Sequence, residues 1–391
     1  MERYLLLGLR LGKHIDGFVD AYYGPAELSK RVDEEVKVDP GALADEAAAL
    51  AQELDGFEEQ RRRWLLGQIR GCETVARRLA GEPISWAEEV ERCYGVEPEV
   101  TPDGRFAEAQ EALDRALSGD GDLGERYRAW LETQVVARDR ILPAVERLSR
   151  ELRARTRQLF GLPEGESVEL DVAENEPWAA FNYYLGDLRS RVVLNTDLPV
   201  YSVRLGLLVA HEIYPGHHTE GAWKERLLVR DRGILEESIF LTGTPAAVVS
   251  EGIAMLAPEI AFAGEEDEVV AQAMSDVGVP YDAERAPAAR AFAAALEGLG
   301  VNVAYQVHAE GRTLNEAIEY GMRWSLRTRE HVAKAVEFVT HPTWRAYASC
   351  YTSGLELCRR FVAGDAQRFR RLLTEQLTPA DLGAGRAVKK S

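Results

Sequence analysis

Three of the seven histidines in this chain of 391 residues fall within one short run, Leu-Leu-Val-Ala-His-Glu-Ile-Tyr-Pro-Gly-His-His-Thr-Glu from Leu207 to Glu220. Glu212 adjoins His211, and His217 and His218 follow across Pro215-Gly216. Neutral imidazoles bind a transition metal, and an adjacent carboxylate can take a proton from an activated water. The grouping therefore has the composition of a zinc-hydrolase site.

Spacing decides which histidines share the metal. Zinc-peptidase helices commonly carry HExxH, with the two histidines four apart on one face. Here position 215 holds proline. Proline cannot donate to the carbonyl four residues back, that of His211, and it clashes with that carbonyl, so the helix is interrupted. Gly216 can adopt backbone shapes closed to other residues. With Pro215 and Gly216 looped out, His217 takes the place of the i+4 histidine. On an unbroken helix His218 would share the face of His211, but about 10.5 Å further along the axis. That rise is too great for two nitrogens each about 2.0–2.1 Å from one ion. His217 is expected as the ligand, with His218 nearby, supporting the site or touching substrate.

A third ligand is offered by Glu251, forty residues after His211 and set among Val248, Val249 and the run Ile253 to Ala257. A carboxylate in such surroundings is buried, and buried charges are paired or bind metal. Zinc peptidases with two histidines and a glutamate draw the third ligand from such a later helix. The expected centre is one Zn²⁺ per chain held by His211, His217 and Glu251, with an open fourth position and Glu212 as general base. Developing oxyanion charge needs a donor, often Tyr or His. The stretch His341-Pro342-Thr343-Trp344-Arg345-Ala346-Tyr347-Ala348-Ser349-Cys350-Tyr351 supplies candidates. His341 and Arg345 are four apart, as are Tyr347 and Tyr351, so each pair shares a helical face. Tyr351 or His341 is the expected donor, with Arg345 and Tyr347 as supporting or substrate-contacting groups. The same residues read equally as core aromatics and a surface charge.

The elements that must hold these groups follow from periodicity. Residues 2 to 21 read as one amphipathic helix. From Pro40 to about Phe160 apolar residues recur at helical spacing, as in Trp64, Leu65, Ile69 and Val75. Breaks fall near Gly56, Gly81-Glu82-Pro83, Pro102-Asp103-Gly104 and Gly119-Asp120-Gly121. This half is expected to be a helical scaffold without chemistry. After Gly161-Leu162-Pro163 the pattern changes. Val168 to Val172 alternates as a strand, and Trp178 to Tyr184, a turn near Gly186-Asp187 and Arg191 to Asn195 read as a hairpin. Such a hairpin either offers an edge to an extended peptide or serves packing alone. Helix returns after Tyr281. The fold expected is mainly α with a small β-sheet, built around a central cleft. It divides into a helical scaffold at 1–160, a catalytic region at 161–382 and a disordered tail at 383–391, the first two forming one compact unit.

The signature His-Glu-x-x-Pro-Gly-His-His at 211 to 218, with Glu251-Gly252 and Tyr351-x-x-Gly354, resembles domain-of-unknown-function family 885. That family is bacterial, largely helical and similar to the zincin peptidases. The resemblance is strongest from about Trp178 to Gly354. It implies a zincin-like, gluzincin-type metallopeptidase architecture and leaves the substrate open. Ile253 stands where the family has tryptophan, and Pro258 where a second glutamate follows, with Glu259 one position later.

Composition excludes some partners. With 65 acidic against 47 basic residues the net charge is −18, so a nucleic-acid backbone is not an expected partner. The four cysteines form no CxxC pair, which argues against a cysteine zinc site. Residues 1 to 13 are too short and too charged for a membrane span or signal peptide, so a cytoplasmic protein is expected. The sequence thus points to a zinc metallopeptidase acting on short peptides or other small amides. The alternative is a non-catalytic metal-binding or helical scaffold protein. Oligomeric state is not legible.

Overall fold

The computed structural model describes residues 1–176 and 178–383. Within them the chain is mainly helical with two small sheets. The tail expected to be disordered lies, apart from Gly383, outside the described residues.

The N-terminal half forms successive helices that include Pro40–Gln52, Glu59–Leu79, Trp86–Tyr94, Asp103–Ala116 and Leu123–Glu132. The breaks expected from glycine and proline separate or open these helices. Residues 2 to 21 are not one helix. The first helix stops at Gly12, Gly17 turns with φ +74°, and β1 (Val19–Tyr22) follows. β1 pairs antiparallel with β5 (Ile239–Leu241). That partner lies some 220 residues away, and local periodicity carries no trace of it.

The second sheet holds β2 (Ser167–Ala173), β3 (Ala180–Gly186) and β4 (Arg189–Asn195) in the order β2-β4-β3. β3 and β4 form the expected hairpin, with Asn182 opposite Val192. It closes through Asp187 and Leu188, both at positive φ, as a two-residue turn matched to strand twist requires. β2 joins β4 in parallel, Leu170 opposite Val192. The central strand buries Val192 and Leu194 in the same cluster as Val145, Leu148 and Leu152 of the helix Arg138–Phe160. This order leaves β3 on an edge of its sheet.

The helix Pro245–Phe262 crosses the interior. It is long and apolar enough to cross a membrane, yet 83% of it is buried within the fold, so it is a core helix. Glycines set its closest approach. A Cβ on Gly252 would stand 2.4 Å from the carbonyl oxygen of Gly354, and one on Gly354 would stand 2.3 Å from that of Val248. The helix Ala348–Val362 can therefore lie backbone to backbone against it, with Cys350 and Cys358 both buried as free thiols. The largest apolar cluster runs from Tyr4 to Leu382 and includes residues of both halves of the chain.

Candidate metal centre

The helix Ser202–Glu212 carries His211 and Glu212 in its last turn, and a second helix, His217–Lys224, begins after four intervening residues. Pro215 has no N–H to continue the ladder. Instead Gly216 N–H donates to the Ala210 carbonyl at 2.9 Å and Thr219 N–H to that of Ile213 at 3.3 Å. The chain thus turns sharply between the helices, and the Tyr214–Pro215 bond is cis. Gly216 is demanded by space. A Cβ there would lie 1.8 Å from the His211 oxygen and 2.5 Å from that of Ala210. No other residue tolerates this approach without moving the backbone.

The break brings the two imidazoles together, 4.8 Å between ring centroids and nearly perpendicular. Glu251, from the interior helix, completes the group. Its Oε2 is 3.5 Å from His211 Nε2 and its Oε1 3.7 Å from His217 Nε2. One ligand atom from each of the three side chains lies within 4.8 Å of the others. Among the described residues these three form the group able to hold a metal ion. Glu212 Oε1 stands 4.0 Å from His211 Nε2. The Tyr347 hydroxyl donates to Glu251 Oε1 at 2.7 Å, orienting the carboxylate. Asn182 of β3 donates its side-chain N–H to the Glu212 carbonyl at 2.5 Å, tying the edge strand to the His-Glu helix.

The residues fit a cation. Glu251 Oε2 is buried without a hydrogen-bond partner, which is costly unless something positive satisfies it. Burial drives the pKa of His211 well below the usual range, aided by His217, and lowers that of His217. Both rings are therefore neutral, the form that ligates. Burial also pushes the Glu251 carboxyl up to about 8, and burial with the Glu251 charge pushes Glu212 to about 8. A set of inward-facing acceptors with two carboxyls raised by burial suits a divalent ion, and the group of imidazoles and carboxylate suits zinc among others.

A cleft opens over this group. Its walls include Ala180, Phe181 and Asn182 of the edge strand, Trp178 just before it, Trp344, Tyr347 and Tyr351. It also takes Tyr4, Asp20, Tyr23, Trp64 and Gln68 from the region expected to be scaffold without chemistry. These early residues reach the cleft because β1 and the first helices pack against β5 and the interior helix. Asp20 is the notable addition, its carboxyl raised to about 7 by burial. Neither Asp20 nor Asn182 carries a local sequence signal, since isolated polar residues in strands are common.

Three expected site residues are placed elsewhere. His218 is fully buried and faces away from the cleft. Its Nε2–H donates to Glu166 Oε2 at 3.0 Å, and Ser190 Oγ lies 2.8 Å from its Nδ1. Glu166 also accepts from Tyr214 and Arg153. His218 therefore anchors the break to β4 and the helix Arg138–Phe160, and cannot touch a substrate. His341 ends a helix and accepts the Thr343 N–H at its Nδ1, 3.2 Å away, outside the cleft lining. Arg345 pairs with Glu89 at 2.8 Å, holding the N-terminal helices. Helical spacing gave His341 and Arg345 one shared face and Tyr347 and Tyr351 another, but the segment 341–347 turns before the helix begins at Ala348. Glu259 is half-exposed and paired with Arg359.

No family model matches the chain, and no curated protein does. Among solved structures, a candidate lipoprotein from Colwellia psychrerythraea is similar at 15% identity and a TM-score of 0.58, over 91% of this chain and 68% of that one. An M32 carboxypeptidase from Deinococcus radiodurans R1 aligns at 13% identity and a TM-score of 0.38, over 97% of this chain and 93% of that one. The first likeness is one of fold.

Proposed function

We propose that the protein is a zinc-dependent hydrolase of short peptides. The observation that carries this reading is the convergence of His211, His217 and Glu251 on one point beneath a cleft, with Glu212 at its side. His211 Nε2, His217 Nε2 and Glu251 Oε2 would hold the ion. Bound there, zinc would supply Lewis-acid chemistry, acidifying a water and polarising a carbonyl.

The remaining work falls to the chain itself. Glu212 takes the proton of the attacking water at its carboxylate and passes it to the leaving amine, a role for which a pKa near neutrality is suited. Tyr351, lining the cleft, donates its hydroxyl proton toward the developing oxyanion. The β3 edge offers main-chain hydrogen bonds to an extended peptide, with Trp178 and Phe181 packing on it. Tyr347 holds Glu251 in place. A purely structural metal would call for a fourth protein ligand, and His218, the nearest in sequence, is bonded to Glu166 and Ser190.

The test is a screen of the purified protein against short peptides. Cleavage should stop with chelator and return with zinc. Failure to take up any transition metal after reconstitution, or cleavage indifferent to chelator, overturns the reading.

A further inference from the structure

The interior helix grips His217 from both sides. Glu251 Oε1 faces its Nε2, and the preceding residue, Ser250, places its Oγ 3.1 Å from Nδ1. Ser250 is buried, and its hydroxyl hydrogen is committed to Glu220 Oε2 at 2.6 Å. The other oxygen of Glu220 accepts from the Lys224 ammonium at 2.7 Å. Both Glu220 and Lys224 are buried and lie on the helix that His217 opens.

Hydrogen-bond direction follows from these commitments. An ammonium only donates and a carboxylate only accepts. Ser250 has one hydroxyl hydrogen, which goes to Glu220, so toward His217 it can only accept. His217 must then carry its ring proton on Nδ1, leaving the Nε2 lone pair facing Glu251 and His211. We infer that Lys224, Glu220 and Ser250 form a buried relay that fixes His217 in the tautomer able to bind metal through Nε2. Ser250 and Glu220 are positioning residues acting through His217, comparable to the outer partners that orient ligating histidines in metal sites. The inference rests on the metal reading for its purpose, but the tautomer itself is a property of the metal-free protein.

Glu220→Gln makes the relay testable with almost no change of shape. Lys224 can bond only the amide oxygen, which turns the amide N–H toward Ser250. Ser250 then accepts from Gln and offers its hydrogen to His217 Nδ1, moving the ring proton to Nε2. Nitrogen NMR of the imidazoles in metal-free protein should find Nδ1–H in the parent and Nε2–H in Glu220→Gln. Zinc affinity, measured by chelator competition, should fall about 10- to 100-fold, as outer-partner loss typically causes. Ser250→Ala cuts the relay without disturbing the Lys224–Glu220 pair, so it decides if Glu220→Gln fails to fold. It should give mixed tautomers and a similar loss. A parent carrying its proton on Nε2, or a folded variant of either kind with the parent's tautomer and zinc affinity, overturns the relay. A parent with the expected tautomer that takes up no zinc overturns the metal reading instead.

Discussion

His211 and His217 belong to different helices, yet their rings stand 4.8 Å apart and almost perpendicular. The juxtaposition depends on Gly216, whose missing side chain lets the chain pass against the His211 carbonyl. Gly216→Ala should therefore disrupt both fold and site. A Cβ standing 1.8 Å from a backbone oxygen should cost about 3 kcal/mol or more, the upper end of such overpacking effects. Chemical denaturation and zinc uptake would both report it. A variant with parental stability and zinc affinity would show that the break can relax.

The two vicinal histidines should separate by function. His217→Ala should lose zinc. His218→Ala should keep zinc but lose stability, about 2 kcal/mol, because Glu166 and Ser190 each lose a buried partner. Elemental analysis and unfolding curves distinguish the two. Zinc lost in His218→Ala and kept in His217→Ala would reverse the assignment.

Glu212→Gln should retain zinc and lose hydrolysis by about 10² to 10⁴, the range for removing a general base. Peptide cleavage at equal metal loading measures it. Unchanged turnover would remove Glu212 from that role.

Tyr347→Phe should leave the fold intact and weaken zinc by about 10-fold, since Glu251 loses its orienting donor. Arg345→Ala should instead lower stability with zinc affinity unchanged, because its partner is Glu89. Chelator competition on both variants provides the comparison.

The metal-free protein should become less stable as pH rises toward 8. Asp20, Glu212 and Glu251 have folded-state pKa values raised to about 7, 8 and 8, from ordinary values of 3.8, 4.5 and 4.5. Between these limits the folded state holds more protons than the unfolded, so stability falls with rising pH. Buried His211, His217 and His218, lowered from their ordinary 6.5, act in the opposite sense below that value, so the loss is to be read between about 6.5 and the folded carboxyl values. Melting temperature of chelated protein across this range checks it, and saturating zinc should flatten the upper part by binding the native state.

Much of this site is legible in the sequence because its chemistry is local. Proline at 215 dictates a helix break whatever surrounds it, and the count of residues to His217 restores the spacing of an i+4 pair. Glu251 stands out because a lone carboxylate in an apolar helix has few physical excuses. The hairpin at 180–195 likewise follows from alternation and a turn. Tertiary structure alone decided the rest. Asp20 reaches the cleft because β1 pairs with a strand far along the chain, and no periodicity encodes a partner. His218 is turned inward by Glu166 and Ser190, two residues of ordinary type in distant elements. Tyr347 and Tyr351 meet Glu251 because Gly252 and Gly354 let two helices touch backbone to backbone, whereas His341 and Arg345 fall on the wrong side of the turn before Ala348. Spacing along a chain specifies which residues share a face; which face turns toward the candidate site is settled only when the helices pack.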